Sequence, residues 1–305
     1  MRVLVTGADG FAGRYLVRHL EAQGHEVFPV VRGKGFELDG SVAMDGLFAH
    51  AYDGIVHLAA MASSTEARKD PAAAWNVNTV GTVRLLEAAA RARYEGKGNP
   101  TVLMVSSSEV YGSRAVGREG GTGRSRREED PVAPVSPYGA TKAAAEIGAL
   151  EVWRRTGLKV IIARAFQHTG PGQAENYVVP ALAKRLALAK RAGAAAINTG
   201  NLEPVRDISD VRDVVAAYAA LLERGEPGET YNVCSGHGVP LFDVFDQLST
   251  LIGCRARAEA DASLVRPGEI AHLVGDNSKL KAATGWSPAF TLDQTLRDVV
   301  DAQAD

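Results

Sequence analysis

Several things are scarce in this sequence, and each scarcity excludes something. Cysteine occurs twice in 305 residues, at Cys234 and Cys254, so no disulfide framework organises the chain. Two cysteines in so long a chain read as buried free thiols of a reducing compartment. Neither sign of charge dominates: 34 Lys and Arg against 36 Asp and Glu leave a net charge of -2. That balance provides no basic field for a nucleic acid or an acidic membrane surface. Long apolar runs are missing, and no stretch reaches the roughly 18 residues that a membrane span needs. The opening MRVLVTGADG runs straight into a glycine loop rather than a cleavage site, so it is not read as a signal peptide. Internal repeats are absent, and no metal is expected. A cytoplasmic enzyme that binds neither nucleic acid nor membrane is the expectation.

What is present is a globular composition, 46% hydrophobic and 23% charged, long enough for a large core. The first half alternates short β-branched runs with amphipathic stretches. Strands are predicted at Arg2–Thr6, Glu26–Val31, Ser41–Met44 (the weakest), Gly54–Leu58, Thr101–Ser106 and Lys159–Arg164. Helices are predicted at Phe11–Gly24, Ala73–Tyr94 and Ser136–Arg155. This alternation implies βαβ units around a parallel sheet. The second half predicts helices at Val178–Arg191, Leu241–Ile252 and Leu292–Ala302, the last opened by a Thr291–Gln294 capping box. A strand at Thr230–Cys234 is expected to return to the main sheet. The fold class is therefore α/β: a doubly wound parallel sheet over about 1–165 and 205–236, with a smaller C-terminal substrate domain over about 166–204 and 237–305.

Thr6-Gly7-Ala8-Asp9-Gly10-Phe11-Ala12-Gly13 sits between the first strand and the first helix. Gly7 permits the tight turn, Gly10 lets the backbone approach a pyrophosphate, and Gly13 lets helix and strand pack closely. The helix N-terminus then presents free N–H groups to phosphate. In this context the glycines predict a Rossmann-type dinucleotide site. The second strand ends in Arg32, with no acidic residue at its tip. A cation there suits a 2′-phosphate, so NADP is expected, with NAD as the alternative.

Ser136-Pro137-Tyr138-Gly139-Ala140-Thr141-Lys142 is the second strong signal. Ser136 suits an N-cap and Pro137 a first helical position. Tyr138 and Lys142 then share a helical face. A neighbouring ammonium lowers a phenol's pKa, which prepares Tyr138 for proton transfer beside a hydride-carrying nicotinamide. Ser106, Ser107 and Ser108 follow Thr101–Val105 at the carboxyl end of that strand, where a parallel sheet binds its ligands. One of these hydroxyls would bond the reacting oxygen. Glu109 follows as either a second acid/base or a salt-bridge partner. The stretch Ser113–Asp130 carries five arginines and four glycines and is read as either a solvated insertion or a lid over an anionic ligand.

Taken together, these motifs resemble the extended short-chain dehydrogenase/reductase family, in its nucleotide-sugar-modifying branch. The likeness also rests on Asp45, His57-Leu58-Ala59-Ala60, Asn78-Thr-Val-Gly81-Thr82 and Arg164-Ala-Phe-Gln-His-Thr-Gly-Pro-Gly172. It continues through Gly200–Asp207, Tyr231–Gly236, Arg266-Pro-Gly-Glu269 and Gly285-Trp286. The resemblance implies a catalytic set of Ser107, Glu109, Tyr138 and Lys142. It implies a cofactor set of Gly7, Asp9, Gly10, Phe11, Ala12, Gly13, Arg32, Asp45, Leu58, Ala59, Ala60, Asn78 and Ser106, with Tyr138 and Lys142 shared. Ser108, Gln167, Lys184, Arg206, Arg266 and Glu269 would contact the substrate, the two arginines as a diphosphate clamp. His57, His168, Asp207, Asp210 and Trp286 are read as structural. The family usually has Asn where Gln167 stands, and the Arg-rich loop is longer than usual. The function implied is reduction of the 4-keto group of a GDP-linked deoxyhexose by a homodimer. Dehydration of GDP-mannose and 4-epimerisation are the alternatives. A non-catalytic cofactor sensor is disfavoured, because it has no use for an intact Ser107, Tyr138 and Lys142.

Overall fold

In the computed structural model, residues 1–33, 36–39, 44–113, 123–264 and 269–304 are described. Along the first half run β1 (Arg2–Thr6), α1 (Phe11–Ala22), β2 (Glu26–Val30), β3 (Gly54–His57), α2 (Ser64–Lys69), α3 (Pro71–Trp75), α4 (Gly81–Tyr94), β4 (Thr101–Ser107), α5 (Pro137–Thr156) and β5 (Lys159–Ala165). The second half adds β6 (Gln167–Thr169), α6 (Val178–Ala192), β7 (Ala196–Thr199), β8 (Val205–Asp210), α7 (Val211–Arg224), β9 (Thr230–Val233), β10 (Gly238–Pro240), α8 (Leu241–Ile252), β11 (Arg257–Ala260), β12 (His272–Leu273), α9 (Ser278–Thr284) and α10 (Leu292–Ala304).

The main sheet has the order β2-β1-β3-β4-β5-β9, and every pairing in it is parallel. This is a Rossmann-type sheet. Alternate side chains feed two cores, as the pleat requires. Val3, Val5, Val56, Leu103 and Ile161 pack with α1 and α7 residues such as Leu16, Leu20, Val214 and Tyr218. Leu4, Ile55, Val102, Met104 and Ile162 pack on the other face with Leu85, Leu86, Ala145 and Ala149 of α4 and α5. Each such buried Val, Leu or Ile contributes about 1.5–3 kcal/mol. A third core joins α6, α8 and α10 through Leu182, Leu186, Val244, Leu248 and Leu296. Around it β8 pairs with β6, β10 and β12, and β7 pairs with β11.

The strand expected at Ser41–Met44 does not form at Met44, which opens a 3-10 helix running to Ala49; residues 41–43 lie outside the described residues. The helix expected over Ala73–Tyr94 starts earlier and contains a π-helical turn at Asn76–Val80, between α3 and α4. π-turns frequently mark functional sites, and this one packs against α5. Residues 114–122 of the Arg-rich stretch are outside the described residues, but its end is well anchored. Arg126 is buried; its N–H donates to the Val274 carbonyl at 2.7 Å and its own carbonyl accepts from Asp276 N at 2.8 Å. A freely solvated insertion does not describe that end.

Candidate active site

The order reverses between β1 and β3: the chain winds outward to β2 and then returns to the other side of β1. Ligands bind at such a switch point, beyond the carboxyl ends of the strands. There a cleft of about 1120 Å³ opens. Gly7, Asp9, Gly10, Phe11, Ala12 and Gly13 line it, together with Leu58, Ala59 and Ala60 at the end of β3. Gly7 has φ +71°, and a Cβ on it would lie 2.8 Å from Ala59 N. A Cβ on Gly13 would lie 2.1 Å from the Gly7 carbonyl oxygen. The loop is therefore closed against strand and helix by contacts that only glycine permits. Gly10 caps α1 without any side-chain bond, and the first turn of α1 holds no acidic residue. This cradle fits the pyrophosphate of a dinucleotide.

Arg32 lines the same cleft but is not alone. Its Nε pairs with Glu37 Oε2 at 3.2 Å, and Glu37 Oε1 accepts from Gly33 N at 3.1 Å. Glu37 also lines the cleft. The sequence reading missed it, because it lies five residues past Arg32, beyond the tip of β2. Two further cofactor residues are placed elsewhere. Asp45 does not line the cleft; it is exposed and pairs with Arg91 of α4 at 2.6 Å. Asn78 is buried behind the cleft wall, where it accepts from Met61 N at 2.7 Å and donates to Thr141 Oγ1 at 3.0 Å. It sits in the π-turn and braces α5 one residue before Lys142.

The chemistry residues converge as expected. Ser107, Ser108, Glu109, Tyr138 and Lys142 all line the cleft. Ser136 caps α5 by accepting from Gly139 N at 3.0 Å, and Pro137 occupies the first turn. Lys142 Nζ donates to the Val105 carbonyl at 2.8 Å. Burial lowers the Lys142 pKa to about 8, with Glu146 opposing the drop. The Tyr138 phenol departs from expectation. Burial, then Glu109, raises its pKa, while the Ser107 hydroxyl works to lower it. Lys142 does not depress it, because its ammonium is turned to Val105. Tyr138 is thus held in its protonated form. Glu109 is clamped: Ser64 Oγ donates to Oε1 at 2.6 Å and Ser136 Oγ to Oε2 at 2.7 Å. No spacing rule announced Ser64.

Of the substrate residues, Ser108, Gln167, Arg206 and Glu269 line the cleft. Gln167 Oε1 is buried with no hydrogen-bond partner among the described residues. Arg206 Nη2 lies 3.8 Å from Glu269 Oε1. Lys184 does not reach the cleft; it is exposed and pairs with Glu175 at 2.5 Å. Arg266 lies outside the described residues. Ser106 lines the cleft, but its hydroxyl donates to Glu146 Oε1 at 2.5 Å. Tyr177, which the sequence did not single out, also lines the cleft, its phenol pKa raised by burial and by Glu66. His57 is buried between Thr6 and Thr82, its pKa pushed down to about 3 by burial and by Lys142. His168 bonds the Phe166 carbonyl and stacks on Phe11. Asp207 accepts from Ser235, Gly236 and Gly275, Asp210 caps α7, and Trp286 is core. Among the described residues no cluster suits a metal ion, and no helix is long and apolar enough to cross a membrane.

Comparison with known proteins agrees with this geometry. The profile of a family described as the NAD dependent epimerase/dehydratase family matches residues 3–234. The chain is 32% identical over 300 residues to GDP-6-deoxy-D-mannose reductase of Pseudomonas aeruginosa, covering 98% of this chain and 96% of that protein. It superposes with a TM-score of 0.86 on RMD from Pseudomonas aeruginosa complexed with NADPH, at 31% identity over 99% of this chain and 98% of that one. The UDP-glucose 4-epimerase of Thermus thermophilus, in complex with NAD, gives a TM-score of 0.84 at 28% identity over 99% and 98%.

Proposed function

Because the chain belongs to the NAD dependent epimerase/dehydratase family, we propose that it is a nucleotide-sugar reductase that uses NADPH, with NADH as a second acceptable cofactor. The substrate class is a GDP-linked 4-keto-6-deoxyhexose, in particular GDP-4-dehydro-6-deoxy-D-mannose. The glycine cradle with Arg32, Leu58, Ala59 and Ala60 would hold the cofactor, which when bound supplies the hydride to C4. Tyr138 gives its proton to the C4 oxygen, so the carbonyl becomes a secondary alcohol. Ser107 faces the same phenol and orients the oxygen that receives the proton. Arg206 and Arg266 provide cations for the diphosphate, and Ser108, Gln167 and Glu269 provide polar contacts. The unpartnered amide oxygen of Gln167 supports that assignment, since a buried carbonyl without a donor is costly until a ligand provides one.

The observation that carries the reductase reading is the likeness over nearly the whole chain to GDP-6-deoxy-D-mannose reductase of Pseudomonas aeruginosa, and the state of Tyr138 is compatible with it. A reductase needs a phenol that arrives with its proton, and burial together with Glu109 keeps it there. Glu109 supports the same choice over dehydration: both its oxygens are taken by serine hydroxyls, which fix it as a positioning group. The test is the redox balance. Purified enzyme given GDP-4-dehydro-6-deoxy-D-mannose should oxidise one NADPH per product formed. GDP-mannose without added reductant should give no 4-keto product. Efficient conversion of GDP-mannose under those conditions would replace this reading with a 4,6-dehydratase.

The proposed assembly is a homodimer. Trp75, Val80 and Ile147 are exposed by 43%, 42% and 71% on α3, the π-turn and α5, elements that pack together around α4. A second copy of the chain would remove these apolar side chains from water. Sedimentation at the monomer mass across the micromolar range would count against it.

A further inference from the structure

Three successive residues of β4 engage three residues of α5 that are spaced four apart. The Ser107 hydroxyl faces Tyr138. The Val105 carbonyl accepts from Lys142 Nζ at 2.8 Å. The Ser106 hydroxyl donates to Glu146 Oε1 at 2.5 Å. The spacing places Tyr138, Lys142 and Glu146 on one helical face, one turn apart. The first two belong to the proposed chemistry, and the third has no part in it so far.

Glu146 is buried, and its carboxylate is fixed from a second strand as well. Arg164 of β5 donates from Nη2 to Oε2 at 2.8 Å and from Nε to Oε1 at 3.0 Å. The register explains the fit, because Ser106 and Arg164 are direct partners across β4 and β5. Arg164 is held in turn by the Tyr111 hydroxyl and the Glu128 carbonyl, each at 3.0 Å. A carboxylate this restrained cannot swing away from the helix face it shares with Lys142.

We propose that Glu146 is a positioning residue that acts through Lys142, one turn away on the same face of α5, and keeps it cationic, with Ser106 and Arg164 as the groups that fix its carboxylate. Four titratable groups bear on this face. Tyr138 lies on the same helix and stays neutral. His57 approaches from β3, and burial and Lys142 keep it neutral too. Arg164 is committed to the Glu146 pair. Glu146 is therefore the charge that offsets the burial of Lys142. Without it, burial acts unopposed, and the ammonium loses its proton at a lower pH.

The inference rests on the reductase reading, and wild-type enzyme separates the two. If wild type neither binds NADPH nor reduces the keto sugar, the reading has failed. If it does both, the pH profiles decide about Glu146. We expect the alkaline limb of kcat, and of the NADPH Kd measured by fluorescence titration, to move about one pH unit towards acid in Glu146→Gln. Glu146→Asp, which retains the charge, should return most of that shift. Ser106→Ala, which loosens one anchor and leaves the ion pair, should shift the limb the same way by less. Profiles of Glu146→Gln that overlay wild type would overturn the proposal, as would equal shifts in the Gln and Asp variants. If Glu146→Gln does not fold, Glu146→Asp and Ser106→Ala decide: a limb unmoved in Ser106→Ala with Glu146→Asp at the wild-type position overturns it.

Discussion

Replacing Tyr138 by Phe should lower kcat by about 10²–10⁴-fold while leaving NADPH affinity nearly unchanged, the range that a positioned general acid contributes. The substitution removes one oxygen and keeps the ring, so packing on α5 changes little. What disappears is the proton that geometry aims at the site facing Ser107. Glu109 accepts from Ser64 and Ser136, so both of its oxygens act there as acceptors rather than as proton donors. Lys142 directs one of its three N–H groups to the Val105 carbonyl at 2.8 Å, away from that site. Lys142→Met provides the contrast and should harm both turnover and cofactor binding. Rates from stopped-flow NADPH oxidation, with Kd from fluorescence titration, separate the two effects. A Tyr138→Phe enzyme retaining more than about a tenth of the wild-type rate would show that another group supplies the proton.

The parts of this site that the sequence made legible are those where one residue's type and spacing fix its direction. Gly13 is such a case: no other residue fits 2.1 Å from the Gly7 carbonyl, so its position after β1 reveals both the turn and the packing. Tyr138 and Lys142 are another, since Ser136 and Pro137 set where α5 starts and thus which face the pair shares. The return of β9 to the main sheet was readable from the short strand-like run Thr230–Cys234. Direction was not readable where a motif match gives position alone. Asp45 stands at the expected place in the chain, but the 3-10 helix there turns its carboxylate to Arg91. Asn78 lies in a π-turn, whose extra residue rotates the amide inward. Lys184 could have been rejected from sequence, because Val179, Leu182, Ala183 and Leu186 form the buried stripe of α6 and Lys184 falls off it. Glu146 could have been found the same way, one turn beyond Lys142. Ser64 and Glu37 carry no local signal; only the fold brings them to Glu109 and Arg32.

Arg32→Ala should weaken NADPH binding by about 10–100-fold and leave NADH nearly unchanged, while Glu37→Gln should move the preference the other way, tightening NADPH and weakening NADH. A hydrogen bond to a charged group contributes about 1.5–3 kcal/mol, and 1.4 kcal/mol is a factor of ten, which sets the first magnitude. The signs follow from the pair at the end of β2. Arg32 is 85% exposed on its side chain, and its bond to Glu37 is that of a solvated ion pair, worth about 0–1 kcal/mol. Arg32 can therefore leave Glu37 for a doubly charged 2′-phosphate at little cost. Glu37, anchored also by Gly33 N, repels that phosphate and can accept from a ribose hydroxyl instead. One cleft thus holds a residue suited to each cofactor, with the arginine favoured because its partner in NADPH carries the larger charge. Salt should narrow the preference, since both groups are in contact with solvent. Titration calorimetry of wild type and both variants at two ionic strengths measures each term. Equal wild-type affinities for the two cofactors, or an Arg32→Ala variant that weakens both alike, would show that the 2′ position is read by some other part of the cleft.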